Sequence, residues 1–141
     1  MYKELDELIS SYEKDFESVS EFWSIDGNED AIDIIREFEE ADWLLLANDL
    51  NHKSSLWKIL LAQCLVDKEN SHIIATLNQL AKTDDKKLFI TVINNLSRYD
   101  LEQIENKDAI EEKIKEFLPG SSASEKMNLN HYLRKFESPT S

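Results

Sequence analysis

The chain contains very few of the residues that interrupt regular backbone structure, with 2 glycines and 2 prolines among 141 residues. Both prolines, Pro119 and Pro139, lie late in the sequence. An all-β chain of this size needs many tight turns, and glycine and proline supply most of them. Their scarcity therefore argues against an all-β fold and favours long helices.

The single cysteine and the lack of long apolar runs exclude further classes of protein. Cys64 cannot form an internal disulfide, and its place in an apolar run predicts a buried, unreactive thiol. The longest apolar runs, such as residues 44–47, are too short to cross a bilayer. The N-terminus lacks a basic segment followed by an apolar stretch, so no secretory signal is predicted. These absences favour a cytoplasmic protein that does not enter a membrane.

Side chains that could carry out chemistry show no recognisable pattern. The three histidines, His52, His72 and His131, are scattered without the spacing of a metalloprotease helix. Two glycines cannot build a phosphate-binding loop, and neither Cys64 nor any serine has the context of an activated nucleophile. We expect no enzyme activity, no cofactor and no metal. A carboxylate-based metal protein or enzyme is the remote alternative.

Positive charge is nearly absent from the first part of the chain. The whole sequence carries 29 acidic and 16 basic residues, a net charge of −13. Residues 1–50 hold sixteen acidic and three basic residues, whereas residues 51–141 hold thirteen of each. A field this one-sided repels nucleic acid and anionic membranes and attracts basic surfaces. It predicts a basic protein as the partner.

Hydrophobic periodicity predicts helices along the whole chain. In the acidic part we expect one helix over residues 3–19, a loop over 24–28, and a second helix over 28–50. Asn28 is the predicted N-cap of this second helix, which has either a break near Ala41 or an entry into the core there.

The rest of the chain predicts shorter helices at regular intervals. They begin near residues 54, 70, 85, 107 and 122, the last with a capping box formed by Ser122 and Glu125. Such spacing is typical of helical repeat proteins, with hairpins of about thirty to forty residues. The helix that contains Trp57 is apolar on most sides and is predicted to be buried.

These patterns predict an all-α fold of about seven helices in a single domain over residues 1–137. Acidic helices occupy 3–50, and antiparallel hairpins, stacked as a short α-solenoid, occupy 54–137. An irregular or bundle-like helical domain is the alternative. Residues 138–141 are expected to form a flexible tail.

The acidic helices supply the candidate binding residues. Their carboxylates recur at intervals of three and four, which places them on one side of a helix, largely without the Lys partners at i+4 that later helices have. A solvated outer face is the alternative interpretation. Trp23 and Trp43 lie in this region, and Trp23 follows Phe22 in a loop-like stretch between the two predicted helices. An aromatic residue among carboxylates is typical of an interface hot spot, whereas the position of Trp43 beside Leu44 favours the core. The predicted partner-binding residues are Trp23, Asp26, Asp30, Asp33, Glu37 and Glu40, with Asp6, Glu13 and Glu17 as a second set.

The chain resembles the small, acidic, all-helical immunity proteins of bacterial polymorphic toxin and contact-dependent growth inhibition systems, some of which have HEAT-like helical pairs. The likeness rests on size, acidity, the segments WLLLA at 43–47 and LWKILL at 56–61, and the hairpins that follow them. It implies a HEAT-like fold and a protein that neutralises a cognate toxin, commonly a basic nuclease, by covering its active site or substrate groove. A helical-repeat adaptor that binds another basic protein or peptide is the alternative.

Overall fold

The structure, a computed structural model, describes residues 1–67 and 69–137. Within these ranges the chain forms helices and contains no strand, which confirms the predicted all-α class. None of the described helices combines the length and the apolar character that a bilayer-spanning helix requires. Residues 138–141, the predicted tail, lie outside the described ranges. Contacts within the chain define two compact units, Met1–Asp67 and Lys68–Ser141.

The first unit contains five α-helices joined by short turns. They are α1 (Tyr2–Lys14), α2 (Phe16–Phe22), α3 (Asn28–Arg36), α4 (Glu40–Asp49) and α5 (Ser55–Ala62), with a π-helical turn at Trp23–Gly27 and a 3₁₀ turn at Leu50–His52. Helix α1 packs against α3, α4 and α5 and therefore lies at the centre of this unit. Its buried residues Leu5 and Ile9 are fully covered.

The prediction of a loop over residues 24–28 is wrong. The backbone N–H of Asn28 donates to the carbonyl of Trp23, five residues earlier, so hydrogen bonding continues from α2 through the π-helical turn into α3. Asn28 is consequently inside the helical stretch and does not cap it. Its side-chain amide instead donates to the backbone carbonyl of Gln63 at 3.4 Å.

Both helices predicted in the acidic part are interrupted. The helix predicted over 3–19 has an unexpected break at Asp15, whose backbone leaves the helical region with φ −133° and ψ 44°. The helix predicted over 28–50 is interrupted after Arg36 and resumes at Glu40, close to the break expected near Ala41. A capping box between Glu39 and Asp42 begins α4, because each side chain accepts a backbone N–H of the other.

Helix α5 is buried, as its apolar composition predicts. Ser54 caps it by accepting the backbone N–H of Trp57 at 3.1 Å, and Trp57 is 1% exposed. The helix packs on α1, so it belongs to the first unit and not with the later hairpins.

The second unit contains four described α-helices, three of which begin with caps at the predicted places. They are α6 (Ser71–Leu80), α7 (Lys86–Leu96), α8 (Lys107–Phe117) and α9 (Ala123–Glu137), with 3₁₀ turns at Leu101–Gln103 and Leu118–Gly120. Asn70 and Asp85 accept backbone N–H groups at the starts of α6 and α7. Ser122 and Glu125 form the predicted capping box before α9.

Neighbouring helices of the second unit pack in sequence. Helix α6 contacts α7, and α8 contacts α9, while α7 also contacts α9. Consecutive helices in contact are what a chain of hairpins requires. Stacking of these pairs into an α-solenoid stays a prediction.

Candidate functional site

Residues 16–36 form a nearly continuous helical stretch with one buried side. Trp23, Gly27, Ala31 and Ile35 are all buried and recur every four residues. The π-helical turn inserts one extra residue, which keeps this row facing α1 as the stretch passes from α2 to α3. The opposite side of the stretch is left to solvent.

That solvent side carries a row of carboxylates, which we call the carboxylate stripe. All of its members are exposed, and they are Glu17, Glu21, Asp26, Asp30, Asp33 and Glu37. The helical rise from Glu17 to Glu37 makes the stripe about 30 Å long. Five of its members were predicted from the sequence to bind a partner. Glu21 was not, because the first helix was expected to end at residue 19, with a loop over 24–28, so Glu21 was not placed on a helix.

The stripe has almost no compensating positive charge. Asp33 pairs with Arg36 at 3.3 Å, and both side chains are exposed, so the pair contributes little to stability. In residues 1–67 and 69–137, no basic side chain pairs with Glu17, Glu21, Asp26, Asp30 or Glu37. Residues 1–67 hold seventeen acidic and five basic residues, a net charge of −12, whereas residues 68–141 hold twelve and eleven.

Trp23 is not available to a partner, contrary to prediction. Its side chain is 2% exposed, and its indole N–H donates to Oε1 of Gln63 at 2.8 Å. The ring of Tyr12 packs against it edge-on with 5.2 Å between centroids. Trp23 is buried because the π-helical turn places it on the buried row instead of in a loop. Trp43, 7% exposed and packed edge-on against Phe38, is a core residue, as predicted.

Asp6 and Glu13, which were also predicted to bind a partner, are partly buried and hold the first unit together instead. Oδ1 of Asp6 accepts hydrogen bonds from Nζ of Lys53 at 2.8 Å and from the indole N–H of Trp57 at 3.1 Å. Glu13 accepts a hydrogen bond from the hydroxyl of Ser54, the cap of α5. Both carboxylates therefore attach α1 to α5. Glu40 is exposed but begins α4, beyond the break that ends the stripe.

Exposed apolar side chains beside the stripe are a feature that the sequence analysis missed. Phe22 is 56% exposed and Ile25 is 64% exposed, although both belong to large apolar residue types. Phe22 also forms one side of a groove of about 380 Å³ between α1 and α2. The groove, called here the α1–α2 groove, is lined by Leu8, Ser11, Tyr12, Val19 and Phe22.

A smaller cavity in the second unit is lined in part by side chains that already form structural contacts. It measures about 200 Å³ and lies beside Asn78 and Lys113. The amide of Asn78 donates to the carbonyl of Gln103 and accepts the N–H of Glu105, which holds the 3₁₀ segment against α6. Lys113 pairs with Asp84 at 2.7 Å and attaches α8 to the turn before α7.

Elsewhere in residues 1–67 and 69–137, reactive groups and metal ligands do not assemble into a site. Cys64 is 1% exposed, and burial raises the pKa of its thiol to about 12, so the thiol stays protonated and unreactive as predicted. Within the described ranges, no three His, Cys, Asp or Glu side chains gather in a way that could hold a metal ion.

Comparison with known proteins gives no match. No family model, no curated protein and no solved structure matches the chain. The helices and exposed side chains described above are therefore the basis for assigning a function.

Proposed function

We propose that the protein binds a basic protein through the carboxylate stripe. The observation that carries this proposal is the unpaired state of Glu17, Glu21, Asp26, Asp30 and Glu37 on one side of one helical stretch. Like charges one helical turn apart destabilise a helix by a few tenths of a kcal/mol per pair. A basic partner removes this repulsion and gains fast, electrostatically steered association.

We further propose that the partner is a toxin and that the protein acts as its immunity protein in the cytoplasm. The likeness to small acidic immunity proteins supports this identity, and a nuclease is the toxin class that the charge favours. A nuclease must attract the phosphate backbone with a basic groove. A row of carboxylates about 30 Å long can occupy such a groove and exclude the substrate.

A charge-reversal experiment tests the binding proposal. Asp30, Asp33 and Glu37 are changed together to Lys, and the wild-type chain is used to capture its partner from the producing cells. The purified partner is then mixed with either form in a stopped-flow instrument. We expect the triple variant to associate at least about tenfold more slowly at low ionic strength and to lose most of the salt dependence.

The matched control carries the same change of net charge in the second unit. Glu102, Glu112 and Glu116 are exposed there, and their joint replacement by Lys is expected to leave association within about twofold of wild type. Equal rates for wild type and the stripe variant, or a captured partner that is not basic, would overturn the binding proposal.

The toxin identity is tested separately by growth. We expect cells that produce the captured partner alone to stop growing, and co-production of the wild-type chain to restore growth. The stripe variant should fail to restore it. A basic partner without toxicity would overturn the immunity role and leave an adaptor that binds a basic protein.

A further inference from the structure

The α1–α2 groove is an apolar depression on a strongly acidic surface. Leu8, Tyr12 and Val19 are half-buried on its floor, and Phe22 is 56% exposed at its edge. Large exposed apolar side chains beside a depression are typical of interaction sites, because a soluble protein otherwise keeps such side chains out of water. Its volume of about 380 Å³ leaves room for a bulky apolar side chain.

Carboxylates lie close along the chain to the residues that line this groove. Four exposed acidic residues lie one helical turn from a residue that lines it, and they are Glu4, Glu7, Asp15 and Asp26. One exposed basic residue, Lys14, lies at the same distance from Ser11. The apolar depression therefore has a negative rim, and an occupant with a positive rim around an apolar centre is complementary to it.

We propose that the α1–α2 groove binds one large apolar side chain of the basic partner, with Lys or Arg residues on both sides of that side chain. The apolar residue contacts Tyr12, Val19 and Phe22, and its basic neighbours pair with the carboxylates of the rim. This inference rests on the proposed function, because it assumes that the partner is basic, and it adds the residue pattern that the partner must present.

A selection from random peptides tests the inference with a defined probe. A ribosome-display library is selected on the full-length chain, and enriched peptides are measured by fluorescence anisotropy. We expect enriched peptides to contain Phe, Leu, Ile, Met or Trp with Lys or Arg within a few residues on both sides. Ser11→Arg, which fills the groove from an exposed position, and Phe22→Ala should each weaken binding by at least about tenfold.

Two matched controls separate the groove from general effects of charge and of surface hydrophobicity. Ser24→Arg adds the same charge to an exposed position of the π-helical turn that does not line the groove. Leu44→Ala removes another exposed apolar side chain, which is 65% exposed on α4. Both controls should bind within about twofold of wild type, and circular dichroism verifies that all four variants are folded.

The outcomes distinguish this inference from the proposed function. Enriched basic peptides without an apolar residue, bound equally by Ser11→Arg and Ser24→Arg, would overturn the groove and leave the stripe as the binding surface. Enriched apolar peptides without basic residues would overturn the negative rim of the groove and therefore this inference, while the stripe is still judged by the captured partner. A selection that enriches nothing would also overturn the groove as a site for a short segment, since the captured partner tests the stripe independently.

Discussion

Acidic residues of the first unit have two different roles, and burial decides between them. Asp6 is partly covered and accepts hydrogen bonds from Lys53 and Trp57, whereas Asp30 is exposed and forms no hydrogen bond or ion pair with another side chain of the described residues. Both residues occur at helical spacing in an acidic sequence, so the sequence alone assigns them to one surface. The position of α5 against α1 separates them.

Replacing Asp6 should therefore cost stability, while replacing Asp30 should not. Asp6→Ala leaves the indole N–H of the buried Trp57 without its acceptor, and we expect a loss of about 1–3 kcal/mol in the free energy of unfolding. Asp30→Ala should stay within about 0.5 kcal/mol of wild type. Urea titration followed by circular dichroism measures both. Equal stability of the two variants would contradict the role assigned to Asp6.

Gly27 is the residue that allows α1 to approach the π-helical turn. A Cβ atom at this position would lie 2.7 Å from ring atoms of both Trp23 and Tyr12. These two rings pack edge-on against each other, so neither can move without disturbing the other. The close approach needs a residue without a side chain.

Gly27→Ala should destabilise the first unit by about 1–3 kcal/mol, because the added methyl group forces the rings apart. Gly120→Ala is the matched control, since a Cβ there meets nothing within 4 Å, and it should stay within about 0.5 kcal/mol of wild type. Thermal unfolding monitored by tryptophan fluorescence checks the pair. If Gly27→Ala unfolds at the wild-type temperature, the packing described for the turn is wrong.

At the scale of elements, the start of α4 depends on an ionised carboxylate. Hydrogen bonds from the backbone N–H groups of Glu39 and Tyr2 lower the pKa of Asp42 below its ordinary value. The same side chain joins the start of α4 to the start of α1. A group whose pKa is lower in the folded state stabilises the fold above its unfolded pKa and loses that contribution as pH falls through its folded pKa.

Asp42→Asn removes this titration but keeps an oxygen acceptor in place. At neutral pH we expect the variant to be less stable than wild type by about 1 kcal/mol, since hydrogen bonds to a charged acceptor are stronger. The difference should shrink as the pH falls from neutral to below the ordinary Asp pKa of about 4, and it should vanish once the carboxyl group of the folded state is protonated. Urea titrations over this range measure it, and a difference that is independent of pH would contradict the role of the ionised form.

At the scale of the whole molecule, charge is distributed unequally between the two units. Residues 1–67 carry a net charge of −12 and residues 68–141 a net charge of −1. The second unit pairs acidic with basic side chains, as in Lys86 with Glu125 at 3.0 Å and Lys115 with Glu111 at 3.1 Å. In the first unit Asp6 pairs with Lys53 and Asp33 with Arg36, but seventeen acidic residues outnumber five basic ones, so the excess carboxylates repel one another.

Salt should therefore stabilise the protein. Raising sodium chloride from about 0.01 M to about 0.5 M shortens the Debye length from roughly 30 Å to less than 5 Å. We expect the free energy of unfolding to rise by about 1 kcal/mol, because salt screens several like-charge pairs and each of them costs a few tenths of a kcal/mol. The Lys variant of Asp30, Asp33 and Glu37 should gain less. Chemical denaturation at both salt concentrations measures this, and a flat response in wild type would show that the stripe causes no repulsion.

Much of the fold could be predicted because its signals are local. The caps at Ser54, Asn70 and Asp85 depend on a side chain and a backbone N–H two or three residues away. The burial of Trp57 follows from a helix that is apolar on most sides. Neither feature needs information from a distant part of the chain.

The candidate site was predicted only in part, because its geometry depends on contacts that are distant in sequence. The π-helical turn at Trp23–Gly27 has a glycine and polar residues that resemble a loop, and its helical form depends on packing against Tyr12 and Gln63. The sequence therefore predicted an exposed Trp23. In the structure Trp23 is buried, and the exposed apolar side chains are Phe22 and Ile25.

The amino-acid sequence by itself determined the all-helical class, the caps of the later helices and the concentration of negative charge in the first fifty residues, because composition and short-range spacing are sufficient for these. Only the tertiary structure decided which carboxylates face solvent and which attach α1 to α5. It also decided where the groove lies. Burial is a property of the assembled unit, and a helix does not specify its neighbours through its own periodicity.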